Sequence, residues 1–137
     1  MGRIIVHLHG KPSQRNCASL IEEYSERLKS KVKIEYHNSK LTTDEYVSLL
    51  PQDTILCDEG GPSFSSVMFA KQFAEWTLST SDVHIAIGPT DGFPKEISNQ
   101  KISLSQMTLP HELAAVILIE QLYRSCEINK GSSYHRI

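Results

Sequence analysis

The stretch from His111 to Arg136 holds the densest set of side chains able to do chemistry. His111 and Glu112 follow Pro110, Glu120 and Arg124 stand four residues apart, and Tyr134-His135-Arg136 come last, all around the strongly apolar run Leu113 to Ile119. Polar groups set beside buried surface cost about 1–3 kcal/mol each unless they are hydrogen-bonded, so the segment reads as a site. Glu120 and Arg124 share one helix face and can form an ordinary helical ion pair worth roughly 0.3 kcal/mol. His111, beside Pro110, reads as a capping or hydrogen-bonded structural residue rather than, as the alternative, a catalyst. A second feature is Gly88-Pro-Thr-Asp-Gly92, where two glycines allow a tight turn or the close approach of a flat ligand to the main chain.

Other constellations point away from particular chemistries. His7 and His9 lie on one face of a strand by its period of two, but no third ligand stands at a recognisable spacing, so a packed or surface pair is expected rather than a metal site. Serine, histidine and aspartate occur without a Gly-x-Ser-x-Gly elbow. The phosphate-cradling and dinucleotide glycine fingerprints are both missing. Cys17, Cys57 and Cys126 are odd in number, far apart and without C-x-x-C spacing, which argues against a zinc site and a disulfide framework and for a reducing compartment.

The elements that must position these residues alternate. Ile4-Ile-Val-His-Leu-His9 reads as a strand and Ser13 to Lys29 as a helix with Cys17, Leu20, Ile21, Tyr24 and Leu28 on one face. Val32 to Tyr36 alternates like an edge strand, and a short helix follows near Thr43 to Leu50. Thr54 to Cys57 is a third strand, closed by the turn Asp58 to Pro62. Ser63 or Ser65 then caps a helix reaching about Leu78, in which Phe64, Phe69, Phe73 and Trp76 have the spacing of core residues. Val83 to Ile87 and Ile102 to Ser105 are further strands, and Pro110 opens a final helix ending near Arg124. Because that helix is apolar nearly all round between Leu113 and Ile119, it is either enclosed or shared with a partner subunit. Strands alternating with helices predict a single α/β domain over residues 1–137, a parallel sheet flanked by helices. In such sheets ligands bind beyond the carboxyl ends of the strands, which selects the loops Cys57 to Pro62, Gly88 to Gly92 and Ser105 to Pro110.

The composition fits one compact domain, and the longest apolar run is too short to span a bilayer. No signal-peptide apolar region is present near Met1, so a cytoplasmic protein with no membrane partner is expected. Residues 1–40 carry eight Lys or Arg against four Glu, and residues 41–137 carry six against twelve Asp or Glu. A polyanion would therefore approach the N-terminal third first.

Leu104-Ser-Gln-Met-Thr-Leu-Pro-His111, Glu120-Gln-Leu-Tyr-Arg124 and Tyr134-His-Arg136 together resemble the signature of the ribosomal large-subunit pseudouridine N3-methyltransferases, RlmH, of the SPOUT class. The resemblance covers most of the chain, with the Asp58 to Ser66 turn and the Ile87-Gly88 strand end in the right order. It implies an α/β domain with a C-terminal deep trefoil knot, a homodimer, and S-adenosylmethionine bound in the knot loops. Neither periodicity nor composition shows a knot, which is a rare topology. Carried over by position, the cofactor pocket comprises Leu56, Cys57, Gly88, Gly92, Leu104, Ser105, Gln106, Met107 and Leu109. The acceptor is N3 of a pseudouridine in large-subunit (23S) ribosomal RNA, free or in the assembled ribosome, with the tail Tyr134-His135-Arg136 near the pocket and the RNA-binding surface built from both subunits. Tyr123 and Arg124 become structural support and dimer contacts.

The implied reaction requires alignment of N3 with a methyl carbon and removal of the N3 proton. His135 is a candidate for proton removal because imidazole titrates nearest neutral pH; contact with phosphate or a cofactor carboxylate is its alternative role. Arg136 can neutralise the developing anion or clamp a phosphate. The chain departs from the family's pattern at Pro62, Pro89, Ala115 and Ile137. Two other readings stay open: a family member that binds RNA or ribosomes without methyl transfer, and a flavodoxin-like small-ligand binder.

Overall fold

Ile4, Val6 and Leu8 alternate with Ile5, His7 and His9 along β1 (Ile4–His9), and nearly all of them are buried. In the computed structural model, which describes residues 2–136, this double burial arises because β1 is an inner strand covered on both faces, as strands of parallel sheets usually are. It pairs with β2 (Val32–His37) on one side and β4 (Val83–Ile87) on the other. β3 (Ile55–Cys57) joins β4, and the short β5 (Lys101–Ile102) lies beyond β3. Every pairing is parallel and the order is β2-β1-β4-β3-β5.

Helices α1 (Arg15–Leu28), α3 (Ser66–Leu78) and α4 (His111–Lys130) cover one face, with α4 packed against both of the others. The principal core joins Ile4, Val6, Leu8, Ile55, Ile85 and Ile102 of the sheet to Ile21, Phe73, Leu118 and Leu122 of these helices. The opposite face carries α2 (Thr43–Leu49). Its Tyr46 is fully buried with Leu56, Ala86 and Phe93, and the Tyr46 hydroxyl donates to the main-chain oxygens of His7 (3.1 Å) and Ile87 (2.8 Å).

Local chemistry sets the helix ends. Thr42 and Glu45 form a reciprocal capping box on α2, and Ser65, one of the two expected caps, accepts from the Met68 amide at the start of α3. At the far end of α4, Gly131 adopts φ +77°, its amide donates to Ile128 O and that of Ser132 donates to Glu127 O. This paired closure needs a left-handed residue, which glycine supplies without strain.

Four expectations are corrected. α4 continues to Lys130 rather than ending near Arg124, because Ser125 and Cys126 are buried and Asn129 Nδ2 donates to Ala70 O at 3.1 Å. α1 begins at Arg15, since Ser13 is engaged elsewhere. Leu20 is 40% exposed, because the buried stripe of α1 runs Cys17, Ile21, Tyr24 and Leu28 and leaves Leu20 at its margin. β5 stops at Ile102, followed by a single parallel bridge of Ser103 to Ser63, after which the Ser103 hydroxyl donates to Ser105 O at 2.8 Å and the chain turns away. No helix among the described residues is long and apolar enough to cross a membrane. Ile137 lies outside the described residues.

Candidate active site

A cleft opens where β3, β4 and β5 end. Cys57, Asp58 and Glu59 form one wall, the turn from Gly88 to Gly92 forms a second, and Leu104, Ser105 and Met107 to Leu109 form the third. His111 and Ala114, in the first turns of α4, close its base. The three strand-end loops selected from sequence thus meet at one place, because parallel strands deliver their carboxyl ends to the same edge.

The turn is closed by the Gly92 amide donating to Pro89 O at 2.8 Å. Pro89 has no amide to donate, but its carbonyl is the half of that bond the turn requires. Gly92 has φ +80°, and a Cβ built there would meet nothing within 4 Å. Glycine is therefore needed for its backbone angle, and its missing side chain leaves the cleft open. Pro62 accepts from the Ser103 amide at 2.9 Å, which ties the Asp58 turn to the loop after β5. Ala115 is buried in the core, where the small side chain fits and an arginine would have to displace its neighbours.

Carboxylates of Asp58, Glu59 and Asp91 dominate the charge of the cleft. That field repels phosphates and favours a cationic ligand. Burial, and after it the Asp58 carboxylate, pushes the Cys57 thiol up to about 12, which leaves it a neutral wall group rather than a nucleophile. The cleft encloses about 160 Å³, less than the ~300–1,000 Å³ of complete small-molecule sites.

Of the expected cofactor contacts, Cys57, Gly88, Gly92, Leu104, Ser105, Met107 and Leu109 line the cleft. Leu56 does not, because strand alternation turns it to the other face of the sheet, where it is fully buried against Tyr46. Gln106 is exposed outside the lining. Asp58, Thr90, Asp91 and Thr108 fall within the selected loops without having been singled out. His111, expected as a structural residue beside Pro110, lines the cleft as well, whereas Ala114 had no signal beyond the start of the last helix.

The tail lies elsewhere. The Tyr134 hydroxyl donates to Glu120 Oε2 at 2.8 Å, Arg124 pairs with the same carboxylate at 2.7 Å, and His135 Nδ1 lies 3.1 Å from Arg124 Nη1. Arg124 stacks over the Tyr134 ring at 4.9 Å. Burial first, then the bonds to Tyr24 and Glu120, push the Tyr134 hydroxyl well above the usual phenol range, so it stays protonated and donating. Arg136 is exposed. His111 and Arg124 are thirteen residues apart on one helix, about 20 Å at 1.5 Å per residue. Within one chain, then, the tail and the cleft do not meet.

The sequence profile of the family described as "Predicted SPOUT methyltransferase" matches residues 3–135. A protein named Ribosomal RNA large subunit methyltransferase H from Anaeromyxobacter sp. (strain Fw109-5) is 34% identical, over 87% of this chain and 90% of that protein. One of the same name from Paracidovorax citrulli (strain AAC00-1) is 32% identical, over 84% of this chain and 86% of that protein. The crystal structure of TrmJ from Z. mobilis ZM4 superposes with a TM-score of 0.52, covering 91% of this chain and 70% of that one at 10% identity. That last likeness concerns the fold alone.

Proposed function

This chain belongs to the SPOUT methyltransferase family, and from that premise we propose that it transfers a methyl group from S-adenosylmethionine to N3 of a pseudouridine in large-subunit (23S) ribosomal RNA. The observation that carries the reading is the cleft at the strand ends, opened by Gly92 and lined by Asp58, Glu59 and Asp91. When bound, the sulfonium supplies an electrophilic methyl carbon. Leu104, Met107 and Leu109 offer apolar surface for an adenine, and the carboxylates suit the cationic portion of the ligand. The loop from Ser103 to Pro110, which brings the chain from β5 past this cleft into α4, is where the expected trefoil knot would be tied.

We assign the acceptor side to Tyr134, His135 and Arg136 of a second copy, in a cytoplasmic homodimer that acts on ribosomal RNA or the ribosome. Leu113, Ile117, Glu120 and Arg124 follow one face of α4 at helical spacing. Leu113 is 42% exposed and Ile117 only half-buried. Two α4 helices packed antiparallel along this stripe, about a two-fold axis near Ile117, bring Arg124 and the tail of each copy beside His111 and the cleft of the other. This closes the 20 Å gap and adds walls to a cleft too small by itself.

Transfer of labelled methyl groups from S-adenosylmethionine to ribosomes lacking the modification tests the proposal. About one methyl per ribosome is expected, with Gly92→Val weakening cofactor binding by calorimetry at least roughly tenfold, since a β-branched residue is strained at that positive φ and its side chain would fill the cleft. Cofactor binding by the wild type without any transfer would instead indicate a binding protein.

A further inference from the structure

His135 meets Arg124 through Nδ1, at 3.1 Å from Nη1. A guanidinium has five N–H donors and no acceptor, so the contact is a hydrogen bond only if Nδ1 contributes its lone pair. The ring proton then sits on Nε2, the nitrogen facing away from Arg124. Arg124 is itself fixed: Nη2 donates to Glu120 Oε2 at 2.7 Å, and the same oxygen accepts from the Tyr134 hydroxyl at 2.8 Å. The Tyr134 ring lies beneath the guanidinium at 4.9 Å. The pair is largely shielded, with Glu120 and Arg124 side chains 18% and 24% exposed.

We propose that Arg124 is a positioning residue that locks His135 as its Nε2–H tautomer, and that His135 serves the reaction by donating this N–H to a carbonyl oxygen of the acceptor base rather than by accepting the base's proton. The inference rests on the methyltransferase reading above and deepens it. N3 of a uracil-type ring lies between two carbonyls, and loss of its proton spreads negative charge onto both oxygens. A preorganised N–H aimed at one of them stabilises the anion as it forms. The N3 proton leaves to solvent water. The N3 electron pair then forms the nitrogen–methyl bond as the carbon–sulfur bond breaks, and that bond's pair stays on sulfur.

The tautomer is read directly from long-range proton–nitrogen NMR correlations of the ¹⁵N-labelled protein, with the His135 signals assigned by their loss in His135→Ala. An Nε2–H pattern is expected in the wild type, and an Nδ1–H pattern would overturn the proposal whether or not the protein methylates anything. Arg124→Gln, whose amide can donate or accept, is expected to show both tautomers. In methyl transfer to unmodified ribosomes, His135→Gln places an amide N–H near the Nε2 position. It should keep activity within about tenfold of wild type, whereas His135→Ala loses about 10²–10³-fold. Equal loss in both variants would mean that the lone pair, not the N–H, is used. Absence of transfer by the wild type would defeat the methyltransferase reading while leaving the NMR result to decide the tautomer.

Discussion

At Glu112 the carboxylate accepts from the Ser13 amide (3.0 Å), the Ser13 hydroxyl (2.8 Å) and the Gln14 amide (2.9 Å). α1 has no side-chain cap of its own at Gln14, and a residue of α4 instead binds the amides of Gln14 and of Ser13 just before it, tying down the entry to the helix. Burial alone would raise this carboxyl. The bonds from Ser13 and Gln14, with His111 nearby, outweigh it and hold Glu112 below the usual carboxylate range. Its folded value being depressed, the stability it contributes is present above pH 4.5 and is lost as pH falls through the folded value. Glu112→Ala should destabilise the protein by about 1 kcal/mol at pH 7, the typical cost of a lost cap. Urea unfolding checks this, and the difference should shrink towards pH 3.

The sheet carries a polar row on the face that α2 only partly covers. His7 on β1 is bonded on both ring nitrogens, to His37 Nε2 on β2 and to His84 Nδ1 on β4, each at 2.9 Å. The His9 ring packs at a tilt against Tyr46, 4.9 Å between centroids, and bonds Leu41 O at 2.8 Å. Because its two nitrogens point to different partners, His7 is a bridge across three strands. Burial, then His37 and His84, lowers His7 to about 4, although Glu35 opposes the shift. A histidine depressed from 6.5 stabilises the fold fully above pH 6.5 and loses that contribution as pH falls through about 4, a swing on the order of 3 kcal/mol. His7→Gln should therefore be less stable than wild type at pH 7 by an amount that narrows as pH approaches 4. A constant difference across that window would show that packing, not protonation, sets the effect. In α4, Gly131→Ala forces a Cβ into a left-handed angle and should cost about 1 kcal/mol, read as a lowered melting temperature.

For the whole molecule the decisive prediction concerns two copies. Ile117→Glu puts like charges against each other at the axis of the α4 pairing and should yield a monomer in sedimentation, correctly folded but without methyl transfer. Mixing two separately inactive variants, Gly92→Val in the cleft and His135→Ala in the tail, should restore activity in mixed dimers, which keep one site with both an intact cleft and an intact tail. No recovery on mixing would overturn the pairing of one copy's tail with the other's cleft.

Much of this protein is written in signals that act within a turn or a strand. The alternation of β1, the Ser65 cap and the glycine turn after β4 each depend on close neighbours, so the alternating elements and the three strand-end loops follow from sequence alone. The motifs around Leu104 to His111 and Tyr134 to Arg136 likewise carry the resemblance to a methyltransferase within short stretches of sequence. What the tertiary structure decided are contacts between residues far apart in the chain. Glu112 reaches Ser13 across 99 positions, and His84 reaches His7 across 77. Whether Leu56 faces the cleft or the far core turned on its strand's orientation in the sheet. How far the tail stands from the cleft turned on α4 running on to Lys130, held by packing against α1 and α3. Periodicity carries the faces of an element, but which face meets which, and at what distance, is settled only when the apolar faces are buried together.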